Sequence, residues 1–137
     1  MQKQLVTIYA YVVMPNHIHL VWKVNAQNGK ESPQGSFLKF TAHRFRKTML
    51  ESSPHLLKDF EVNAVNKSHE FWQRDSLATP LWNRAVILQK INYIHNNPMA
   101  KHWRLAATPE EYRFSSASFY EKGTDEFKIL THIGDIW

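Results

Sequence analysis

The sequence predicts an α+β fold, an antiparallel β-sheet flanked by α-helices. Residues 5–13 ("LVTIYAYVV") and 17–24 ("HIHLVWKV") are two strand-like runs with the turn "MPN" between them. Residues 36–51 repeat apolar side chains at helical spacing, and residues 79–96 do so again before a proline. At 137 residues and 43% hydrophobic content the chain can bury one core and is short for two ordinary domains, so residues 1–137 are expected to form a single domain.

The first run is rich in β-branched and aromatic residues, the types that fit a half-buried pleated surface. The second alternates, with Ile18, Leu20, Trp22 and Val24 on one face and His17, His19, Val21 and Lys23 on the other. The apolar face is expected to take the core, and the histidines to face away from it. A polar loop, "NAQNGKESPQG", leads to Ser36, the expected cap of a helix reaching about Glu51. Leu38, Ala42, Phe45 and Met49 form its apolar stripe. Lys39, His43, Arg46 and Lys47 gather on another side, a face that serves either solvation or phosphate contact. Thr79 followed by Pro80 gives a second helix start, running to about Asn96 and stopped by Pro98. "TPEEY" sets Glu111 three residues after Thr108, the capping-box spacing, so a short helix is expected there. "SSASFYEKG" gives a last helical segment ended by Gly123.

Composition narrows the chemistry. With no cysteine there is no disulfide framework, thiolate metal site or cysteine nucleophile. The start "MQKQLVTIYAYVV" is only briefly apolar and lacks a small-residue cleavage site, and no run approaches bilayer length, which together point to the cytoplasm and to no membrane partner. A net charge of +5 and a pI near 9.5 favour a polyanionic partner. Five Trp, five Tyr and eight Phe exceed what a minimal core needs; they supply either a large aromatic core or, beside basic side chains, stacking surface for single-stranded nucleic acid.

Because side chains alternate along a strand, His17 and His19 project side by side and can offer two imidazoles to one ion. Two histidines with separate hydrogen bonds are the other arrangement this spacing allows. In "RAVILQKINYIHNNP", Ile87, Ile91 and Ile94 form the apolar stripe while Tyr93 points well away from it. Lys90 lies one turn before Tyr93 and Asn97 one turn after, so an ammonium, a phenol and an amide oxygen share one surface. Taken alone, Tyr93 also reads as a half-exposed aromatic and Asn97 as a helix-terminal residue before proline.

"VVMPNHIHLVW", "FWQRD", "YIHNNP" and "EEYRFSSASFY", in this order and spacing, resemble the HUH-type single-tyrosine transposases of insertion sequences. The repeat-associated tyrosine transposases look like the nearest branch. The resemblance extends from about residue 5 to the C-terminus. It implies a ferredoxin-like, RRM-like core and metal-dependent cleavage and strand transfer of single-stranded DNA, as in DNA transposition and recombination by mobile elements. It assigns a divalent metal, Mg²⁺ or Mn²⁺, to His17 and His19, with Asn97 completing the site. It assigns nucleophilic attack to Tyr93, leaving a 5′-phosphotyrosine and a free 3′-hydroxyl. Bond energy is retained in the adduct, so no nucleotide cofactor is implied. Either the ion or Lys90 would help the phenol lose its proton. The implied partner is single-stranded or hairpin DNA. Backbone contacts are expected from Lys39, Arg44, Arg46 and Lys47, and further DNA contacts from Lys90, Trp72 and Arg74, with core packing the other role open to Trp72.

Members of that family usually carry a further strand and helix ahead of the strand leading to the HxH pair, whereas four residues precede Leu5 here. The resemblance therefore implies an N-terminally incomplete core, whose exposed sheet edge would invite a homodimer. Two other functions fit the same residues. One is a non-catalytic DNA-binding remnant of a transposase. The other is a metallohydrolase using the HxH pair with water as nucleophile, which would not need Tyr93.

Overall fold

The structure is a computed structural model and describes residues 4–62, 69–73 and 76–137. In chain order it contains β1 (Val6–Val13), β2 (Ile18–Val24), α1 (Pro33–Ser52), α2 (Arg84–Asn96) and α3 (Ala117–Lys122), with short 3₁₀ turns between and after them. An antiparallel strand pair and flanking helices make this an α+β protein. The chain gathers into two compact units. One is formed by the chain through Ala26 together with Pro80–Trp137, the other by Gln27–Thr79.

In the first unit β1 and β2 form the expected hairpin, in register from Val13 opposite Ile18 to Val6 opposite Val24, with one irregularity between Ile8 and Ala10. Val12 stands opposite His19 and Ala10 opposite Val21, so these four share a face. Ala10, Val12 and Val21 are buried in one cluster with Ile87, Ile91 and Ile94 of α2. The helix therefore covers the face that carries the histidines. This corrects the expectation that Ile18, Leu20, Trp22 and Val24 take the core: the first three are only half-buried and Val24 is 50% exposed. The reason lies across the ladder. The small Ala10 and the β-branched Val12 let the isoleucine stripe approach closely, and counting apolar residues on β2 alone misses that partner.

The outer edge of β1, which an incomplete sheet would leave open, is occupied by the chain's own C-terminal part. Val13 N–H donates to Phe114 O, Ser116 N–H to Tyr11 O and Thr131 N–H to Ile8 O. Two tyrosines fasten these segments, Tyr112 donating to Val13 O at 2.7 Å and Tyr120 to Tyr9 O at 2.8 Å. Gly123 ends α3 in the left-handed region, at φ 72°, as its position predicts.

Helix starts differ from expectation. The α1 helix begins at Pro33, with Ser32 accepting from Gly35 N–H, rather than at Ser36. The α2 helix begins at Arg84, where the Asn83 side chain accepts from Ala85 and Val86 N–H, and Thr79–Pro80 starts nothing. Thr108 precedes only a 3₁₀ turn, Pro109–Glu111, and its buried hydroxyl makes no capping bond.

In the second unit, Phe37 and Phe45 of α1 meet Trp72, and Phe45 and Phe60 meet Phe71. Among the described residues no helix is long and apolar enough to cross a membrane.

Candidate active site

The expected chemical residues of the first unit come from its hairpin and from α2. His17 closes the hairpin turn, its carbonyl accepting from Met14 N–H at 2.8 Å, and His19 follows within β2. Their rings lie 5.0 Å apart and nearly perpendicular, at 82°. Asn16 Oδ1 lies 2.6 Å from His17 Nδ1. An amide oxygen only accepts, so this contact requires a proton on Nδ1, the tautomer that leaves Nε2 as the nitrogen for a cation when the ring is neutral. Burial, followed by the charges of His17 and Lys90, pushes the His19 pKa down, which favours the neutral imidazole that a metal requires.

From the helix, the Tyr93 ring meets His19 edge-on at 6.0 Å, and Lys90 Nζ stands 5.9 Å from the Tyr93 ring centroid. Tyr93 is 58% exposed, so its phenol is open to a substrate from outside. Asn97 caps α2 one turn beyond Tyr93 and is half-buried; its N–H donates to Ile94 O and its carbonyl accepts from Ala100 N–H. Thus His17, His19, Tyr93 and Lys90 form one continuous cluster, and Asn97 continues the same side of the helix.

The remaining candidates belong to the second unit. Lys39 pairs with Glu31 at 3.1 Å, while Arg44, Arg46 and Lys47 are exposed along α1. Trp72 packs on α1 and donates its indole N–H to Thr41 Oγ1 at 2.9 Å, the packing role that the sequence left open. Arg74 lies outside the described residues.

Three residues escaped the sequence reading. Asn16 orients His17, and its signal was adjacency to a histidine in a turn. Trp103, following the proline that stops α2, sets its ring 6.1 Å from that of His17. His95 is buried, with Nε2 2.7 Å from Ser116 Oγ, and burial lowers its pKa to about 4. Its signal was helical phase, since it lies one turn after the core residue Ile91.

A cavity of about 240 Å³ lies elsewhere, beneath Tyr11 on the sheet face opposite His19. Glu110, Glu111, Asp125 and Glu126 line it against one Arg113, a net negative lining that does not suit the polyanionic partner expected from the chain's charge. The histidine cluster is therefore the better candidate site. No family model, curated protein or solved structure matches the chain.

Two adjacent imidazoles, one of them biased neutral by burial, suit a divalent cation. Among the described residues no group of three or more His, Cys, Asp or Glu side chains converges. Further donors would be the neutral amide oxygen of Asn97, water and substrate oxygens, a set that Mn²⁺ and Mg²⁺ accept.

Proposed function

We propose that this protein cleaves and rejoins single-stranded DNA through a 5′-phosphotyrosine intermediate, as a metal-dependent transposase of the HUH single-tyrosine type with the corresponding ferredoxin-like core. The observation that carries the reading is the contact of Tyr93 with His19, itself in ring contact with His17. A solvent-open phenol beside a pair of potential ligands is what an attack on a bound phosphate needs. A divalent cation held by His17, His19 and Asn97 would supply Lewis-acid polarisation of the scissile phosphate.

The chain's own part is nucleophile and orientation. Tyr93 Oη passes its proton to solvent and attacks phosphorus, forming the P–Oη bond as the bond to the 3′-oxygen breaks. The departing 3′-oxygen takes up a proton. Lys90, close to the Tyr93 ring, stabilises the phenolate, and attack by another 3′-hydroxyl reverses the step. Accepting from Nδ1–H, Asn16 would leave the His17 Nε2 for the cation.

The test is to incubate the protein with labelled single-stranded hairpin DNA and Mn²⁺ and look for an adduct that survives denaturant. An adduct that disappears in Tyr93→Phe and with chelator is expected. Cleavage without an adduct would mean a water nucleophile, and binding without cleavage would mean a DNA-binding remnant; both refute the proposal.

A further inference from the structure

Immediately after α2 and its buried Pro98, the chain makes a tight turn. Trp103 N–H and Arg104 N–H both donate to Ala100 O, at 2.8 and 3.0 Å, and Leu105 N–H returns to Pro98 O at 2.8 Å. Arg104 sits in the left-handed region at φ 48°, a conformation costly for a residue with a Cβ. The turn is thus over-determined and presents a fixed surface. Lys101, His102 and Arg104 are exposed on it, and Trp103 lies half-buried against the core. Among the described residues Lys101 and Arg104 make no ion pair; the two pairs formed, Lys39–Glu31 and Arg113–Glu126, lie elsewhere. Uncompensated cations therefore flank an aromatic face whose other neighbours are the rings of His17, at 6.1 Å, and His102, at 5.6 Å.

We propose that the turn Lys101–Arg104 is the seat of the substrate strand: an unpaired DNA base stacks on Trp103 beside His17 while Lys101 and Arg104 hold the flanking phosphates. The inference rests on the strand-cleaving reading of the site. Charge sign selects a polyanion, and a rigid half-exposed indole between cations selects a strand whose bases are free to stack. Paired bases in a duplex present no open face to Trp103, so the turn also discriminates single from double strands. The distance from the Trp103 ring to the His17 ring is short on the scale of one nucleotide, which sets the stacked base next to the phosphate that Tyr93 attacks.

The experiment is a titration of fluorescein-labelled oligothymidine by anisotropy at several salt concentrations, with the matching duplex as control. Lys101→Ala/Arg104→Ala alters only exposed side chains, and Trp103→Leu keeps an apolar filler against the core. The double variant is expected to flatten the dependence of log affinity on log salt by about 0.7 per lost contact. Trp103→Leu is expected to weaken oligothymidine binding about fivefold or more with little change for duplex. An unchanged salt slope, or a Trp103→Leu variant that binds both DNAs as before, overturns the proposal. The adduct assay separates the two levels. If an adduct forms but these variants bind normally, the platform falls and the cleavage reading stands; if the variants lose binding as predicted and no adduct forms, the platform stands without the chemistry.

Discussion

Ser116→Ala tests the way the tyrosine helix is fastened to the sheet. Ser116 is 1% exposed, and its Oγ accepts from Tyr11 N–H at 2.9 Å, approaches Tyr11 O at 3.2 Å and bonds His95 Nε2 at 2.7 Å. One hydroxyl thus joins β1, α2 and the segment leading to α3. Alanine fits the space but leaves two groups without partners, the Tyr11 N–H and the His95 ring nitrogen, on residues that are 7% and 8% exposed. Each orphaned group costs about 1–3 kcal/mol, so a loss of about 2–4 kcal/mol is expected after local relaxation. That is a large part of the ~5–15 kcal/mol that holds a domain folded. Urea unfolding should move the midpoint down with the slope unchanged. Adding His95→Phe to Ser116→Ala removes one of the two orphans and should make the double variant less damaged than the sum of the singles. A Ser116→Ala loss below about 0.5 kcal/mol, the range of an ordinary surface change, would refute the reasoning.

Acid should destabilise the fold through His95, whose pKa falls from 6.5 to about 4 on burial. The unfolded chain takes up the proton first, so this contribution is complete above pH 6.5 and is lost between 6.5 and about 4, a change of about 3 kcal/mol. Urea unfolding across that window should show the slope, and His95→Gln should remove it; an identical slope in the variant would dismiss His95 as the cause. Asn16→Ala should weaken Mn²⁺ binding about 10- to 100-fold in calorimetry by freeing the His17 tautomer, and nitrogen NMR of the metal-free protein should register the loss of a dominant Nδ1–H form. Gly123→Ala meets no atom within 4 Å, so its expected cost of about 1 kcal/mol is purely backbone strain at φ 72°. A thermal melt unchanged from the parent would mean the turn relaxes instead.

Local signals carried far along this sequence where the deciding contacts are local. The hairpin, the end of α3 at Gly123 and the isoleucine stripe all follow from neighbours in sequence. The failures occur where a distant partner decides. Which face of β2 is buried depends on Ala10 and Val12 across the ladder, so Val21 proved a better guide than the three larger apolar residues opposite it. Helix starts turned on competition between caps. Ser32–Pro33 displaced Ser36 because proline at the first position is already set for the helix, and Asn83 displaced Thr79 because its side chain reaches two N–H groups at once. The side-by-side placement of His17 and His19 and the outward turn of Tyr93 were readable from spacing; their expected roles came only from the resemblance. The ring of Trp103 was not, since only the turn after Pro98 brings it to His17.

The stability of this unit and the geometry of its candidate site share a cause. In an α-helix of 3.6 residues per turn, positions two apart point about 200° around the axis from one another. Burying His95 against Ser116 therefore fixes the rotation of α2 in the sense that turns Tyr93 out of the core. The isoleucine stripe alone specifies this phase loosely, because apolar side chains tolerate small rotations, whereas a hydrogen bond to a buried hydroxyl does not. It follows that Ser116→Ala should disturb Tyr93 beyond what a loss of folded protein explains. At temperatures where the variant is fully folded, adduct formation should still fall, and raising metal or DNA concentration should not restore it. Full restoration at saturating metal would instead mean that helix rotation is set by Ile87, Ile91 and Ile94, and that the polar bond contributes stability alone.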